Sequence, residues 1–267
     1  MSAAAARARI GVRDLGKTYG LHGRKVHAVD SVSFDIFEGE FVALIGPSGC
    51  GKSTILNMVA GLLPISAGDI AIDSQRVVAG HPNRQVGYVF QRDTVFPWRT
   101  VARNIGYGLE LAGMPRAQRE QRVARMIEGA GLEGFGDAFP LALSGGMRQR
   151  VALMRTLITQ PEILLMDEPF GALDTHTKLE MHKILLEIWE REQQTVLFVT
   201  HDLGEALTLS DRIIVLSARP GRVKEIFEVT LPRPRDAVSL RESPDFARAF
   251  SRIWHSLGEE FRKGHAE

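Results

Sequence analysis

Phe41-Val42-Ala43-Leu44-Ile45-Gly46-Pro47-Ser48-Gly49-Cys50-Gly51-Lys52-Ser53-Thr54 passes from an unbroken apolar run into a glycine-rich turn. A half-exposed strand would alternate apolar and polar residues, so five apolar residues in a row read as a parallel strand buried on both faces. Gly46, Gly51, Lys52 and Ser53 fit the spacing G-x-x-x-x-G-K-[ST]. Such a loop needs glycine where the backbone turns toward a ligand with no room for a Cβ. Its amide N–H groups then point at a β-phosphate. Lys52 adds a point charge toward the β- and γ-phosphates, and Ser53 offers a hydroxyl to Mg²⁺. Ser53 to Gly61 reads as a helix whose N-terminal dipole faces the anion. Strand, phosphate loop and helix in this order predict an α/β fold around a parallel sheet.

A second buried strand, Ile163-Leu164-Leu165-Met166, ends in Asp167-Glu168. In open α/β sheets the ligand sits beyond the strand C-termini. Asp167 can hold a Mg²⁺ shell, directly or through water. Glu168 is one residue on, points elsewhere, and can polarise an attacking water. Val86-Gly87-Tyr88-Val89-Phe90 and Thr195-Val196-Leu197-Phe198-Val199-Thr200 read as further strands, followed by Gln91 and His201.

Between these strands lies Leu143-Ser144-Gly145-Gly146-Met147-Arg148-Gln149-Arg150. With the phosphate loop before it and Asp167-Glu168 after it, the chain resembles the nucleotide-binding subunit of an ATP-binding-cassette (ABC) transporter from about Ile10 to Arg235. The resemblance implies a P-loop ABC ATPase fold: a RecA-like core, an antiparallel β subdomain and an inserted helical subdomain. It implies ATP and Mg²⁺ as ligands, and a head-to-tail dimer with a second copy or a similar ATPase subunit. Each ATP would be clamped between residues 46–54 of one subunit and Ser144-Gly145-Gly146 of the other. A helix starting near Met147 would aim its positive end at the γ-phosphate.

Other family positions carry over singly. Gln91 matches the glutamine that touches Mg²⁺ and the attacking water, Asp174 the aspartate that communicates across the dimer, and His201 the switch histidine at the γ-phosphate. Tyr19 matches the aromatic that stacks on adenine, or else packs the edge of its sheet. Met147 stands where many relatives carry Gln. Met154-Arg155-Thr156 departs from the usual Ala-Arg-Ala and is expected to be helix packing.

The 267 residues carry a net charge of +1, so no strong field for nucleic acid is expected. Cys50 is the sole cysteine, so no disulfide forms within the chain, as suits a reducing cytosol. Its place in the phosphate loop suggests a thiol open to alkylation and protected by ATP. No apolar run approaches the roughly 20 residues that span a bilayer. Residues 1–9 read as a disordered tail, residues 10–230 as the ATPase domain with a helical insertion at about 93–159, and residues 231–267 as a helical extension. Val32, Phe34 and Ile36 alternate with polar residues, as in a half-buried strand. Met181, Ile184, Leu185 and Ile188 form a helical core stripe. Arg212 to Leu216 and Val223 to Val229 read as closing strands. Phe246, Phe250, Ile253 and Leu257 mark an amphipathic helix, packed on the body or contacting a partner.

Phe96-Pro97-Trp98, followed by Asn104, lies where the family docks a short helix of its integral membrane permease subunits. Trp98 is either an interface anchor or a core residue of the insertion. This segment, Met147, Leu216-Ser217-Ala218-Arg219-Pro220-Gly221 and Leu231-Pro232-Arg233-Pro234-Arg235 resemble importers of the nitrate, sulfonate and taurine type. The resemblance therefore implies an ATPase at the cytoplasmic face of the plasma membrane, energising uptake with a permease and a separate solute-binding protein. The solute itself stays open. An exporter ATPase and a soluble non-transport ABC ATPase are the alternatives.

Overall fold

The computed structural model describes residues 8–21 and 24–264. A long hairpin opens the chain, β1 (Ala8–Leu21) and β2 (Arg24–Phe37). β3 (Phe41–Ile45) runs into the glycine loop and α1 (Lys52–Val59). β4 (Ala67–Ile72), the short β5 (Gln75–Arg76) and β6 (Val86–Val89) follow. A helical layer comes next: α2 (Val101–Ile105), α3 (Tyr107–Leu111), α4 (Arg116–Gly129) and α5 (Gly145–Leu157). Strands and helices then alternate through β7 (Ile163–Asp167), α6 (Thr175–Glu192), β8 (Thr195–Val199), α7 (Leu203–Leu209) and β9 (Arg212–Leu216). β10 (Val223–Glu228) turns back, and α8 (Pro244–Gly264) closes the chain.

The strands make two sheets, β2-β1-β4-β5 and β10-β9-β3-β8-β7-β6. The first is antiparallel. The second is parallel except for its β10 edge. β3 sits inside it between β8 and β9, and this explains its continuous apolar run. Alternate side chains leave a strand on opposite faces. Phe41, Ala43 and Ile45 join one core with residues of α5, α6, α7 and α8. Val42 and Leu44 join the other, against α1 and the antiparallel sheet. A Leu or Ile buried in this way contributes about 1.5–3 kcal/mol over its exposed state.

Several boundaries differ from the sequence reading. Ala8 and Arg9, expected in the tail, open β1, and residues 1–7 lie outside the described residues. Arg9 is buried and ion-paired with Asp73 at 3.2 Å, and with Glu162, which holds this end of the strand to the body. The helix after the phosphate loop runs from Lys52 to Val59, ahead of the expected Gly61, and β10 stops at Glu228. Met181, Leu185 and Ile188 are buried on α6, with Ile184 packed at the margin. Phe246, Ile253 and Leu257 of α8 are buried in the same core as β3, so the extension packs on the body.

Candidate functional site

The loop after β3 leads from the C-terminal end of that strand into α1. Gly51 holds φ +99°, and a Cβ there would come within 2.7 Å of Val29 Cγ2 and 3.0 Å of the Ala28 carbonyl. Gly46 is closed in by Cys50 Sγ and the Leu216 backbone. No other residue fits either place, and the spacing of the motif follows from these two close approaches. Lys52 is buried, and its Nζ donates to the carbonyls of Gly46 at 2.8 Å and Pro47 at 3.0 Å. The loop thus turns its carbonyls toward the lysine. The Ser53 hydroxyl, on the first turn of α1, donates to Asp167 Oδ1 at 2.9 Å. Burial pushes the Asp167 carboxyl above its usual range, opposed by the Ser53 hydrogen bond and reinforced by neighbouring Glu168.

Three strand ends meet at Glu168. Its N–H donates to Val199 O of β8 at 2.9 Å, and its φ is +45°. Gln91 Nε2 donates to Glu168 Oε2 at 3.3 Å, and His201 Nδ1 lies 3.0 Å from the same oxygen. Gln91 follows β6, Glu168 follows β7 and His201 follows β8. Tyr19 OH lies 3.3 Å from Thr54 Oγ1, with Lys17 Nζ 5.1 Å from its ring centre. Tyr19, Ser48, Gly49, Lys52, Gln91 and Glu168 line one cavity of about 400 Å³. This volume suits a nucleotide, with an aromatic at one end and a carboxylate at the other.

An Mg²⁺ ion fits the donors present. A hydroxyl and a partly desolvated carboxylate lie side by side at Ser53 and Asp167. Among the described residues no cluster of three or more acidic, His or Cys side chains could hold a metal alone. Mg²⁺ asks for no such cage, because it binds through one or two protein oxygens together with substrate phosphates and water.

Ser144, Gly145 and Gly146 do not line this cavity. Ser144 is the N-cap of α5 and accepts from the Met147 N–H at 3.2 Å, so the helix starts at Gly145, ahead of Met147. Ser144 and Gly145 are exposed on the single chain. Asp174 likewise caps α6, accepting from Thr177 N–H at 3.1 Å. The Thr177 hydrogen bonds hold its carboxyl below the usual range.

Trp98 is 71% exposed and stacks on Phe96, ring centres 5.5 Å apart. The alternative of a buried Trp98 is excluded. Asn104 is fully buried beneath this segment. It accepts from Phe96 N–H at 2.8 Å and donates to the carbonyls of Phe96, Arg99 and Thr100. One amide therefore fixes the whole exposed turn. A groove of about 910 Å³ runs beside it, lined by Trp98, Arg103, Glu110, Val123 and Phe139 among others.

One reading is extended and one needs correction. Met154 is fully buried in the core and Thr156 Oγ1 donates to Ala152 O at 3.3 Å, as helix packing requires. Arg155 in addition donates to Thr94 O at 2.8 Å and Thr94 Oγ1 at 2.6 Å, and its guanidinium lies 4.9 Å from the Phe96 ring centre. Cys50 is not an accessible thiol. It is fully buried, and burial pushes its pKa up, so less thiolate forms at any given pH. Folded protein should resist maleimide with or without ATP and react only when unfolded. Rapid mass shift of the native chain would refute this. One site residue carries no signal of its role in the sequence: Arg219 lines the same cavity and donates to Gly49 O at 3.3 Å.

The family model described as ABC transporter matches residues 29–171. The chain belongs to the ABC transporter family. It is an ATPase of that family, with the cassette fold that the phosphate loop and the Leu143–Gly146 turn implied. An uncharacterised ABC transporter ATP-binding protein of Methanocaldococcus jannaschii is 46% identical, over 96% of this chain and 93% of the relative. The taurine import ATP-binding protein TauB of Rhizobium johnstonii is 48% identical, over 85% of this chain and 87% of the relative. Among solved structures, a dimeric ATP-binding cassette in a post-hydrolysis state with ADP and Pi matches with a TM-score of 0.75. It is 33% identical, over 82% of this chain and 98% of that one.

Proposed function

We propose that this chain hydrolyses ATP as one half of a cassette dimer and so drives uptake of a small sulfonate-like solute through separate membrane subunits. The convergence of Gln91 and His201 on a single Glu168 oxygen beside the phosphate loop carries this reading. Tyr19 stacks on adenine. Residues Gly46 to Thr54 wrap the phosphates with their amides, and Lys52 leaves the Gly46 and Pro47 carbonyls to reach the β- and γ-oxygens. Ser53, Asp167 and Gln91 are the residues that would hold Mg²⁺, which supplies charge neutralisation at the phosphates. Gln91 and Glu168 orient the attacking water. Glu168 takes its proton as the oxygen adds to the γ-phosphorus, and ADP leaves as the bond to the β-phosphate oxygen breaks. His201 donates to the γ-phosphoryl oxygens as charge spreads over them.

The second subunit supplies Ser144, Gly145 and Gly146 across the dimer, consistent with the exposure of Ser144 and Gly145 and with the dimeric solved relative. Closure would pull the segment from Gln91 to Trp98, which Arg148 and Arg155 tie to α5 through Asp93 and Thr94. The Phe96-Pro97-Trp98 turn is the surface for the permease, at the cytoplasmic face of the membrane. Among the described residues no helix is long and apolar enough to cross a bilayer, so the spans we propose belong to other chains. The taurine relative supports a sulfonate-class solute; its delivery by a separate binding protein is part of our proposal.

Purification of the tagged chain from native membranes tests this. A permease and a solute-binding protein should co-purify, with a sulfonate identified by mass spectrometry in the latter. Recovery with nucleic acid or ribosomes and no membrane chain would overturn the transport reading and spare the ATPase. Trp98→Ala should abolish most uptake while ATP affinity stays within about twofold, because an exposed anchor supports binding to a partner more than the fold. Equal losses of uptake and ATP binding would sink that role.

A further inference from the structure

The loop between β9 and β10, Ser217-Ala218-Arg219-Pro220-Gly221, forms a wall of the nucleotide cavity through a side chain assigned no role so far. It is locked on three sides. The Ser217 hydroxyl, 2.9 Å from Ala218 O and 3.1 Å from Pro220 O, shares its hydrogen within the turn and accepts from Arg222 N–H at 3.0 Å, which closes the turn on itself. Gly221 N–H donates to Ala28 O at 3.0 Å, and Asp30 N–H donates to Gly221 O at 3.0 Å, which join the turn to β2. Gly221 also presses on the phosphate loop: a Cβ there would lie 2.0 Å from Cys50 O. The third tether comes from the far end of the chain. Ala218 N–H donates to Glu260 Oε2 at 3.0 Å. Glu260 is buried on α8, with Lys224 Nζ 3.1 Å from its other oxygen. Lys224 Nζ in turn donates to Ser256 O at 2.7 Å. A buried carboxylate stays only where it is paired and hydrogen-bonded, and here Lys224 supplies the charge and a backbone amide of the turn the hydrogen bond.

Arg219 projects from this turn into the cavity. Its Nε donates to Gly49 O, and its Nη2 would lie 2.9 Å from a Cβ on Gly49. Lys52 already holds the carbonyls of Gly46 and Pro47. Arg219 on Gly49 holds a third carbonyl of the loop, and this contact stays in place when Lys52 leaves its two carbonyls for the nucleotide. The N–H on the far side of the Gly49 peptide, that of Cys50, donates to Pro47 O at 3.3 Å, so the Arg219 contact fixes a peptide that is itself tied into the turn of the loop and helps to hold the shape the phosphates meet.

We propose that Arg219 is a positioning residue for the phosphate loop, and that α8 sets its place through Glu260 and Ala218. This rests on the ATPase reading above. The C-terminal helix thus acts on nucleotide affinity without lining the cavity.

Equilibrium binding of a fluorescent ATP analogue, with ATPase kinetics alongside, tests both parts. Arg219 is exposed, so its substitution leaves the fold intact. Arg219→Ala should raise Kd and KM about tenfold, the size of one charge-assisted hydrogen bond, with a smaller change in kcat. Arg219→Lys keeps a cation and a donor and should recover most of the affinity. Glu260→Ala should weaken binding in wild type and add nothing in the Arg219→Ala background, because linked residues are non-additive. In the wild-type chain, saturating ATP analogue should slow hydrogen exchange at the Ala218 N–H. Unaltered affinity in Arg219→Ala overturns the role of Arg219. Additive losses, or exchange at Ala218 indifferent to nucleotide, overturn the route through α8. Wild-type protein that fails to bind ATP would instead remove the ATPase reading on which both rest.

Discussion

Glu168→Gln should bind ATP as well as wild type and hydrolyse it about 10²–10⁴ times more slowly, the range for loss of a positioned base. The substitution keeps the shape of a side chain held between Gln91 Nε2 and His201 Nδ1, so the site geometry survives. It removes the negative charge that takes the proton from water. The φ of +45° and the Glu168 N–H bond to Val199 O are main-chain features, unchanged in kind by the side-chain head group. Single-turnover hydrolysis and analogue binding measured on the same preparation separate the two effects. Turnover within tenfold of wild type would assign the base elsewhere.

Gly145→Asp should leave the isolated chain as stable as wild type, or slightly more so, and abolish turnover by the dimer. Gly145 is the first residue of α5 and is exposed, and a Cβ added to it would meet only Arg148 Nη2, at 3.8 Å. An acidic residue at a helix N-terminus is favourable by about 0.3–1 kcal/mol, and glycine is a poor helix former. Across the proposed dimer the same carboxylate would face a γ-phosphate. Two like charges about 4 Å apart at an effective dielectric of about 20 repel by roughly 4 kcal/mol, or about a thousandfold in the closed state. Melting temperature, monomer ATP affinity and ATPase rate together test this. Normal ATPase activity would show that the turn does not meet nucleotide in trans.

The elements legible in the sequence are those whose signal is local. Phe41–Ile45 and Ile163–Met166 are covered on both faces, and continuous apolarity is the direct record of that. The phosphate loop is legible because Gly46 and Gly51 sit where side chains clash. The start of α5 is harder to place because two glycines argue against helix, while Ser144 as N-cap argues for one beginning at once. Cys50 misleads because a loop motif suggests exposure, whereas the side chain turns inward under Gly46. Trp98 is undecided in the sequence since an aromatic in an irregular turn has no period to say which way it faces. Arg219 reaches Gly49 across 170 positions of chain, and no spacing pattern carries such a contact.

The strand order has a consequence for how the chain is made. β3 finds its two neighbours in β8 and β9, both far downstream. While the first half emerges from the ribosome, Phe41 to Ile45 has neither partner, and both edges of an apolar strand stay open. Long-range pairing of this kind is slow and exposes sticky segments while it waits. The nascent chain must therefore shield this strand, with its hairpin or with a chaperone, until residue 216 has been made.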